Sequence, residues 1–372
     1  MAGMRNPFRP TFGASPYHWA GRTVILEEFA RGLEGYPGDP SRSMVIDGAR
    51  GIGKTVLLTE LEDLAAQQGW IVLRATGRAD SVRMLVDTTI PAKIAELAPP
   101  AGRTVTAVQV SGFRVDTELL DATRPVPTLG TRMRELLSLL SGTGVLITVD
   151  EVQDADPANL SDIALTHQDL IRDDLDVALV MAGLTHGINR LLDLPGTTFL
   201  RRARRFELGP LTDDDARVIL LATAEDSGRP FAADAADRAV EIAHGYPYLV
   251  QLVGYLAWNR ADTEITRADV EAVRHEAVQT MGSQVHAPSL KGVPPAQMAY
   301  LRAMADLIGD DTEVSSSEVA EAIGKRPNEA TDTRGKLLDR GLIEAPAWGR
   351  VAFTLPYLAE FLRSDSRTTR VS

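Results

Sequence analysis

The sequence predicts an α/β fold: a parallel sheet built around a phosphate-binding loop, then an all-helical segment, then a small helix-and-hairpin module. Three observations carry this. An apolar run at Met44, Val45 and Ile46 breaks into a glycine-rich turn, and a helical pattern follows through Val56, Leu57, Leu58, Leu61 and Leu64. Further apolar stretches at 69–75, 145–149 and 176–187 read as strands of the sheet, the first near-continuous as in parallel strands buried on both faces. Beyond residue 211 the periodicity becomes helical, and two short strands around Trp348 and Gly349 close the pattern.

The loop reads Gly48-x-x-x-x-Gly53-Lys54-Thr55, the P-loop spelling, in its required place between strand and helix. Glycine lets backbone N–H groups turn inward onto phosphate oxygens, and the helix that follows adds its positive dipole end. Gly48, Ala49, Arg50, Gly51, Ile52, Gly53, Lys54, Thr55 and Val56 therefore form the candidate nucleotide-binding set. In it Lys54 is placed to reach the β- and γ-phosphates, and the Thr55 hydroxyl to ligate Mg2+.

Ahead of the loop, a helix is expected from Val24 to Leu33, preceded by Pro16, Tyr17 and Trp19. These residues suit either an adenine pocket or local packing. After the loop, helical pattern at 82–97 stops at Pro99 and Pro100, and alternation at 103–118 suggests an inserted β-hairpin. A helix at 128–140 leads to the strand 145–149, which ends on Asp150 and Glu151. Ligands of open α/β sheets bind at this carboxyl edge. Asp150 is placed to hold Mg2+ through water and Glu151 to polarise an attacking water. The next strand ends near Thr185, the candidate for sensing a γ-phosphate.

Arg201, Arg202, Arg204 and Arg205 crowd the entry to the last sheet strand, 205–208. Arginine fingers in a neighbouring subunit's site, a patch for an acidic partner and a solvated helix end all fit this cluster. Helices are then expected over 211–282, a linker at 283–293, and a winged helix-turn-helix from helices at 294–308, 316–323 and 329–340 with a hairpin at 342–354. Domains are expected at residues 1–209, 210–285 and 286–372.

Composition narrows the class. Formal net charge is −12, from 39 Lys and Arg against 51 Asp and Glu, so bulk electrostatics do not favour nucleic acid. Residues 291–372 hold 11 basic and 12 acidic residues, a neutral rather than basic module. Duplex DNA through 294–362 stays open, beside docking to a protein. The chain has no cysteine, which excludes disulfides and thiolate metal sites and fits a reducing, cytoplasmic setting. No apolar run approaches the ~20 residues of a membrane span. Six histidines show no ligand spacing, and no Gly-x-Ser-x-Gly elbow occurs.

Gly48 to Thr55, Val149-Asp-Glu-Val-Gln153, Phe206-Glu-Leu-Gly-Pro-Leu211, Gly245-Tyr246-Pro247 and the closing winged helix together resemble an AAA+ ATPase. More narrowly they resemble the branch of origin-recognition ATPases and their STAND-like relatives, over residues 10–362. The resemblance implies a five-stranded parallel sheet (an AAA+ nucleotide-binding domain), an α-helical lid and a C-terminal winged-helix domain. It implies ATP or ADP with Mg2+ as cofactors, Tyr246 and Pro247 at the nucleotide, a finger at Arg201 or Arg202, and homo-oligomers. Origin-recognition proteins set a lid arginine against the γ-phosphate. The turn here reads Gly245-Tyr246-Pro247, nearer the Gly-x-Pro turn of STAND proteins. That favours slow hydrolysis with the nucleotide state as a switch. The alternatives are a DNA-binding initiator-like or regulatory ATPase and a non-hydrolysing nucleotide-binding scaffold. The pathway and protein partner are not legible.

Overall fold

The computed structural model describes residues 5–11, 15–18, 20–76, 80–97, 126–309 and 311–371, with side chains to residue 364. The hairpin expected at 103–118 and Trp19 lie outside the described residues.

Five strands, β1 (Ser43–Gly48), β2 (Ile71–Ala75), β3 (Val145–Val149), β4 (Val177–Gly183) and β5 (Arg204–Leu208), form one sheet in the order β2-β3-β4-β1-β5. Every pairing is parallel, with Ser43 opposite Leu179 and Gly48 opposite Leu208. Strand side chains alternate between faces, and two cores result. Met44, Ile46, Leu146 and Val180 join one; Val45, Ile147, Leu179 and Met181 join the other. The single polar residue of β3 follows the same rule. Thr148 lies on the Leu146 face, and its hydroxyl donates to the buried Glu62 carboxylate at 2.6 Å, on α2 (Lys54–Gln67).

The first helix, α1 (Thr23–Glu34), is tied to β1 by a fully buried Arg42. Its guanidinium donates to the carbonyls of Gly32, Leu33 and Gly35 at 2.7, 2.9 and 2.7 Å and pairs with Asp176 at 2.7 Å. Those carbonyls lie at the helix end, where acceptors lack intrahelical partners; Gly32 also accepts from the Gly35 N–H at 3.1 Å. Nothing in the sequence pattern singled Arg42 out.

The helix expected at 82–97 forms with a π-helical turn: α3 (Ser81–Met84), the turn Leu85–Thr89, then α4 (Ile90–Leu97). The helix before β3, α5 (Leu129–Leu137), begins at a capping box on Thr128. On the same face as Val45 lie α6 (Pro157–Arg172) and α7 (Thr185–Leu192).

Beyond β5 stand α8 (Asp213–Glu225), α9 (Ala233–Ala243), α10 (Pro247–Arg260) and α11 (Arg267–Met281), the helical lid. The linker expected at 283–293 is largely helix. A π-turn, Gly282–His286, continues α11 directly into α12 (Ala287–Leu290). The absence of a side chain at Gly282 lets Phe361 pack against this turn. A helical connection therefore replaces most of the expected linker.

The C-terminal module comprises α13 (Pro295–Ile308), β6 (Glu313–Ser315), α14 (Ser316–Ala322), α15 (Pro327–Asp339), β7 (Ile343–Glu344), β8 (Arg350–Phe353) and α16 (Leu358–Val371). Its antiparallel sheet runs β6-β8-β7, so a third strand, β6, adds to the expected hairpin. Three helices and this sheet make the winged-helix arrangement. Trp348 at the wing tip is wholly exposed. Among the described residues no helix is long and apolar enough to cross a membrane.

Candidate functional site

A cavity of about 440 Å3 opens where β1 gives way to α2. Its floor is the loop from Arg50 to Val56. Glu151 and Leu184 contribute from the sheet edge, and Pro247, Tyr248 and Gln251 from the lid. Arg9, Pro10, Pro16 and Arg22 close it from the N-terminal segment. That segment is fixed to the lid: the Arg9 N–H donates to Gln251 Oε1 at 2.9 Å, and Phe8 occupies the space above Gly254. Tyr17 is exposed and does not line the cavity; it stacks under the Arg9 guanidinium instead.

Gly53, with φ of 96°, sets the loop's last turn before the helix. Lys54 is buried, and its Nζ donates to the loop carbonyls of Gly48 and Ala49 at 3.0 and 2.7 Å. Burial lowers its pKa from 10.5 to about 8, against the opposing pull of Glu151 and Asp150. The Thr55 hydroxyl donates to Asp150 Oδ2 at 2.7 Å. Hydroxyl and carboxylate oxygens are the hard donors that suit Mg2+. The Lys54 ammonium and the positive end of α2 together suit a polyanion. The donor set thus fits a magnesium nucleotide.

Glu151 has φ of 54°, left-handed for a residue with a Cβ. Such backbone costs about 1–3 kcal/mol and gathers at functional positions. Its N–H donates to Asp150 Oδ1 at 2.8 Å, and its carboxylate accepts from Gln153 Nε2. Gln153 Oε1 in turn accepts from the Leu184 N–H at 2.9 Å. Gln153 therefore ties the acid to the tip of β4.

Several sequence-derived positions fall elsewhere. Thr185 opens α7 and does not line the cavity; Leu184 and the Gln153 amide hold the strand tip where a sensor was expected. Gly48 and Ala49 offer carbonyls to Lys54 and are likewise not cavity lining. Tyr246 is buried beneath the loop, donating its hydroxyl to the Arg50 carbonyl, and Gly51 has φ of 77° with its open side against that ring. Pro247 does line the cavity.

The arginine cluster stands at the opposite end of the sheet, because Arg204 pairs with Met44 while Leu208 pairs with Gly48. The structure does not bring Arg201 or Arg202 to their own P-loop. Arg204 binds Glu28, Arg205 grips the buried Asp47 with two bonds of 3.0 Å, and Arg201 pairs with Asp193 at 2.9 Å. Arg202 is exposed and, among the described residues, has no ion pair.

Sequence reasoning assigned no role to Gln153, Arg9, Arg22 or Gln251. Gln153 lay in a quoted motif, but its contact to Leu184 depends on where β4 ends. Arg9 and Arg22 are set by a fold of the N-terminal segment that has no periodic signal.

The loss of the Tyr246 hydroxyl is the simplest probe of the lid contact. Tyr246→Phe is expected to cost about 0.5–1.5 kcal/mol of stability. Thermal unfolding with and without ADP checks it: a larger loss with ADP bound would show that the bond holds the loaded loop.

The comparisons agree with this geometry. Residues 18–180 match the family model described as AAA ATPase domain, and residues 283–362 match a model described as a domain of unknown function, DUF8462. No curated protein matches the chain. Among solved structures the chain is similar to the Aeropyrum pernix ORC2 protein in its ADPNP-ADP complexes, at 13% identity and a TM-score of 0.62 over 98% of each chain. It is also similar to the Walker-type ATPase PABY2304 of Pyrococcus abyssi, at 15% identity and a TM-score of 0.63 over 92% of this chain and 95% of that one. The class the fold and site define is the AAA+ P-loop ATPase fold, followed by a helical lid and a winged helix.

Proposed function

We propose that the protein binds ATP with Mg2+, hydrolyses it slowly, and uses the nucleotide state as a conformational switch. One observation carries this reading: the P-loop Thr55 hydroxyl lies 2.7 Å from Asp150, with Glu151 next in sequence and facing the same cavity. Bound Mg2+ would offset phosphate charge, held by Thr55 and Asp150. Lys54 supplies positive charge to the β- and γ-phosphates, and Glu151 orients and deprotonates water. In the lid, Tyr246 contacts loop backbone and Pro247 the cavity, and no arginine of α10 lines it. That supports slow turnover. Domain limits of 1–209, 210–285 and 286–372 accompany this reading. Arg202, with no ion pair among the described residues, is the better candidate of the two for a finger reaching a second copy.

Phosphate release from Mg·ATP tests the activity directly. Slow release supports the proposal; ATP intact after long incubation supports the non-hydrolysing scaffold instead.

The DNA-engaging alternative has less support. Lys336 pairs with Asp332, Arg326 with Glu329 and Arg350 with Glu313, so basic groups of the winged helix are partly neutralised. The C-terminal end of α15, with Lys336 and Arg340, faces a cleft against the ATPase body. The exposed Trp348 leaves the wing available to a protein or a duplex. A gel shift across salt concentrations, with ATP and with ADP, separates the two: binding that falls steeply with salt supports DNA.

The Lys54 pKa makes a further prediction. Above about pH 8 the unliganded lysine is deprotonated, whereas phosphates favour its charged form. Nucleotide affinity should therefore fall as pH rises through about 8, and ADP binding near that pH should take up protons. For the free protein the sign is opposite. The unfolded chain holds the proton up to about 10.5, so this group's contribution to stability rises with pH between about 8 and 10.5. Calorimetry of ADP binding in buffers of different ionisation enthalpy reads the uptake; its absence would contradict the role given to Lys54.

A further inference from the structure

A second cleft, of about 490 Å3, lies between the ATPase body and the C-terminal module. Arg50, Gln153, Asp154 and His186 line one side; Lys291, Gln297, Lys336, Asp339 and Arg340 line the other. From these residues we infer that the cleft is a binding site for a small phosphomonoester carrying hydroxyl groups, separate from the P-loop cavity.

Charge gives the first half of that chemistry. Four cationic side chains line the cleft against two carboxylates, in a chain whose net charge is −12. Lys336 is neutralised by Asp332 at 2.7 Å. Among the described residues Arg50, Lys291 and Arg340 have no ion pair, and they come from three different segments. Cationic side chains brought together from distant parts of a chain repel one another unless an anion joins them. Burial first, then Arg190 and Arg340, lower the His186 pKa, against the opposing pull of Asp339 and Asp154.

The polar atoms give the second half. Gln297 is 6% exposed and its Oε1 has no hydrogen-bond partner. His186 Nδ1 is also buried without one. Buried polar atoms are nearly always paired, so these two, on residues that line the cleft, call for partners. A carbonyl oxygen requires a donor; the fully ionised phosphate group of a monoester has none, and the hydroxyls of its sugar supply it. Water can satisfy Gln297 and His186 but leaves the cationic excess in place. The volume falls in the range of about 300–1,000 Å3 usual for small-molecule sites.

The cleft is wired to the first cavity. Arg50 lines both, and Gln153 lines the cleft while its amide holds Glu151. Occupancy of the cleft should therefore alter nucleotide affinity, and by linkage nucleotide should alter occupancy equally. This coupling rests on the nucleotide reading above; the binding itself does not.

The test titrates ribose 5-phosphate into the full chain with ADP present in excess, followed by calorimetry, with inorganic phosphate as the comparison. One saturable site is expected, tighter for ribose 5-phosphate than for phosphate. The Lys291→Ala, Arg340→Ala double variant should weaken it at least about tenfold, and unfolding temperature checks that this variant is folded. Gln297→Leu should abolish the preference for ribose 5-phosphate over phosphate. Lys54→Ala, titrated without ADP, separates the two cavities: retained binding supports the second site even if the P-loop reading fails. Binding lost with Lys54 alone, binding indifferent to Lys291 and Arg340, or no saturation below about 10 mM overturns the proposal.

Discussion

A Glu151→Gln protein is expected to keep its affinity for ATP within a few-fold and to lose turnover by about 10²–10⁴-fold. Glutamine has the shape of glutamate and retains a carbonyl to accept a hydrogen bond, but it cannot take a proton from water. The substitution therefore removes base chemistry and, with the charge, the pull that Glu151 exerts on the Lys54 ammonium. Phosphate affinity is assigned to Lys54 and the loop amides, none of which contacts the Glu151 side chain in the free protein. One local change needs control. Gln153 Nε2 now donates to the Glu151 carboxylate, and the same bond in the variant requires the new amide to present its oxygen. Gln153→Ala provides that control. It should lower turnover less than Glu151→Gln, because the base remains while its orientation loosens. Single-turnover phosphate release and equilibrium ADP binding on both variants check the two halves. Unchanged turnover in Glu151→Gln would remove Glu151 as the base.

What could be read from the sequence divides along a physical line. The P-loop and the Asp150–Glu151 pair were legible because both are local: a strand's apolar run sets where each motif sits, and residues next in sequence share one sheet edge. The winged-helix module was legible from helix and turn spacing, although β6 was missed because Glu313–Ser315 is a strand of only three residues. The rest depends on long-range placement. Thr185 looked like a strand tip, yet β4 stops at Gly183 and Gln153 reaches across to Leu184. The four arginines read as a finger, a patch for an acidic partner or a solvated helix end. Three of them prove to be paired with Glu28, Asp47 and Asp193, and none of those pairings has a sequence signature. The 283–293 stretch read as a linker because it contains proline and glycine. It is helical through Leu290, and Phe361, far along the chain, packs against Gly282 at its start.

Arg42→Met is expected to destabilise the fold by about 3–5 kcal/mol, near the upper end for a single substitution. The guanidinium is 1% exposed and serves four acceptors at once: three carbonyls at the end of α1 and the Asp176 carboxylate. Methionine matches much of the stem volume and preserves packing against Trp70, which the guanidinium overlies at 4.9 Å. What it cannot do is donate. The carbonyls of Leu33 and Gly35 would then lose their guanidinium donors at a buried helix end, at about 1–3 kcal/mol for each acceptor left unmet, reduced where water enters, while Gly32 keeps the Gly35 N–H at 3.1 Å. Arg42→Lys should recover little, since a single ammonium cannot span a fork of acceptors in three directions. Asp176→Asn should cost far less, because Asp176 is partly exposed and its amide oxygen can still accept. Thermal unfolding of the three variants orders these effects: Arg42→Met and Arg42→Lys low, Asp176→Asn near the parent. ADP affinity measured well below the transition should stay close to the parent in all three. Arg42 holds the entry to β1, whereas the loop begins at that strand's other end, so the contact acts on whether the sheet forms rather than on how the formed loop meets its ligand.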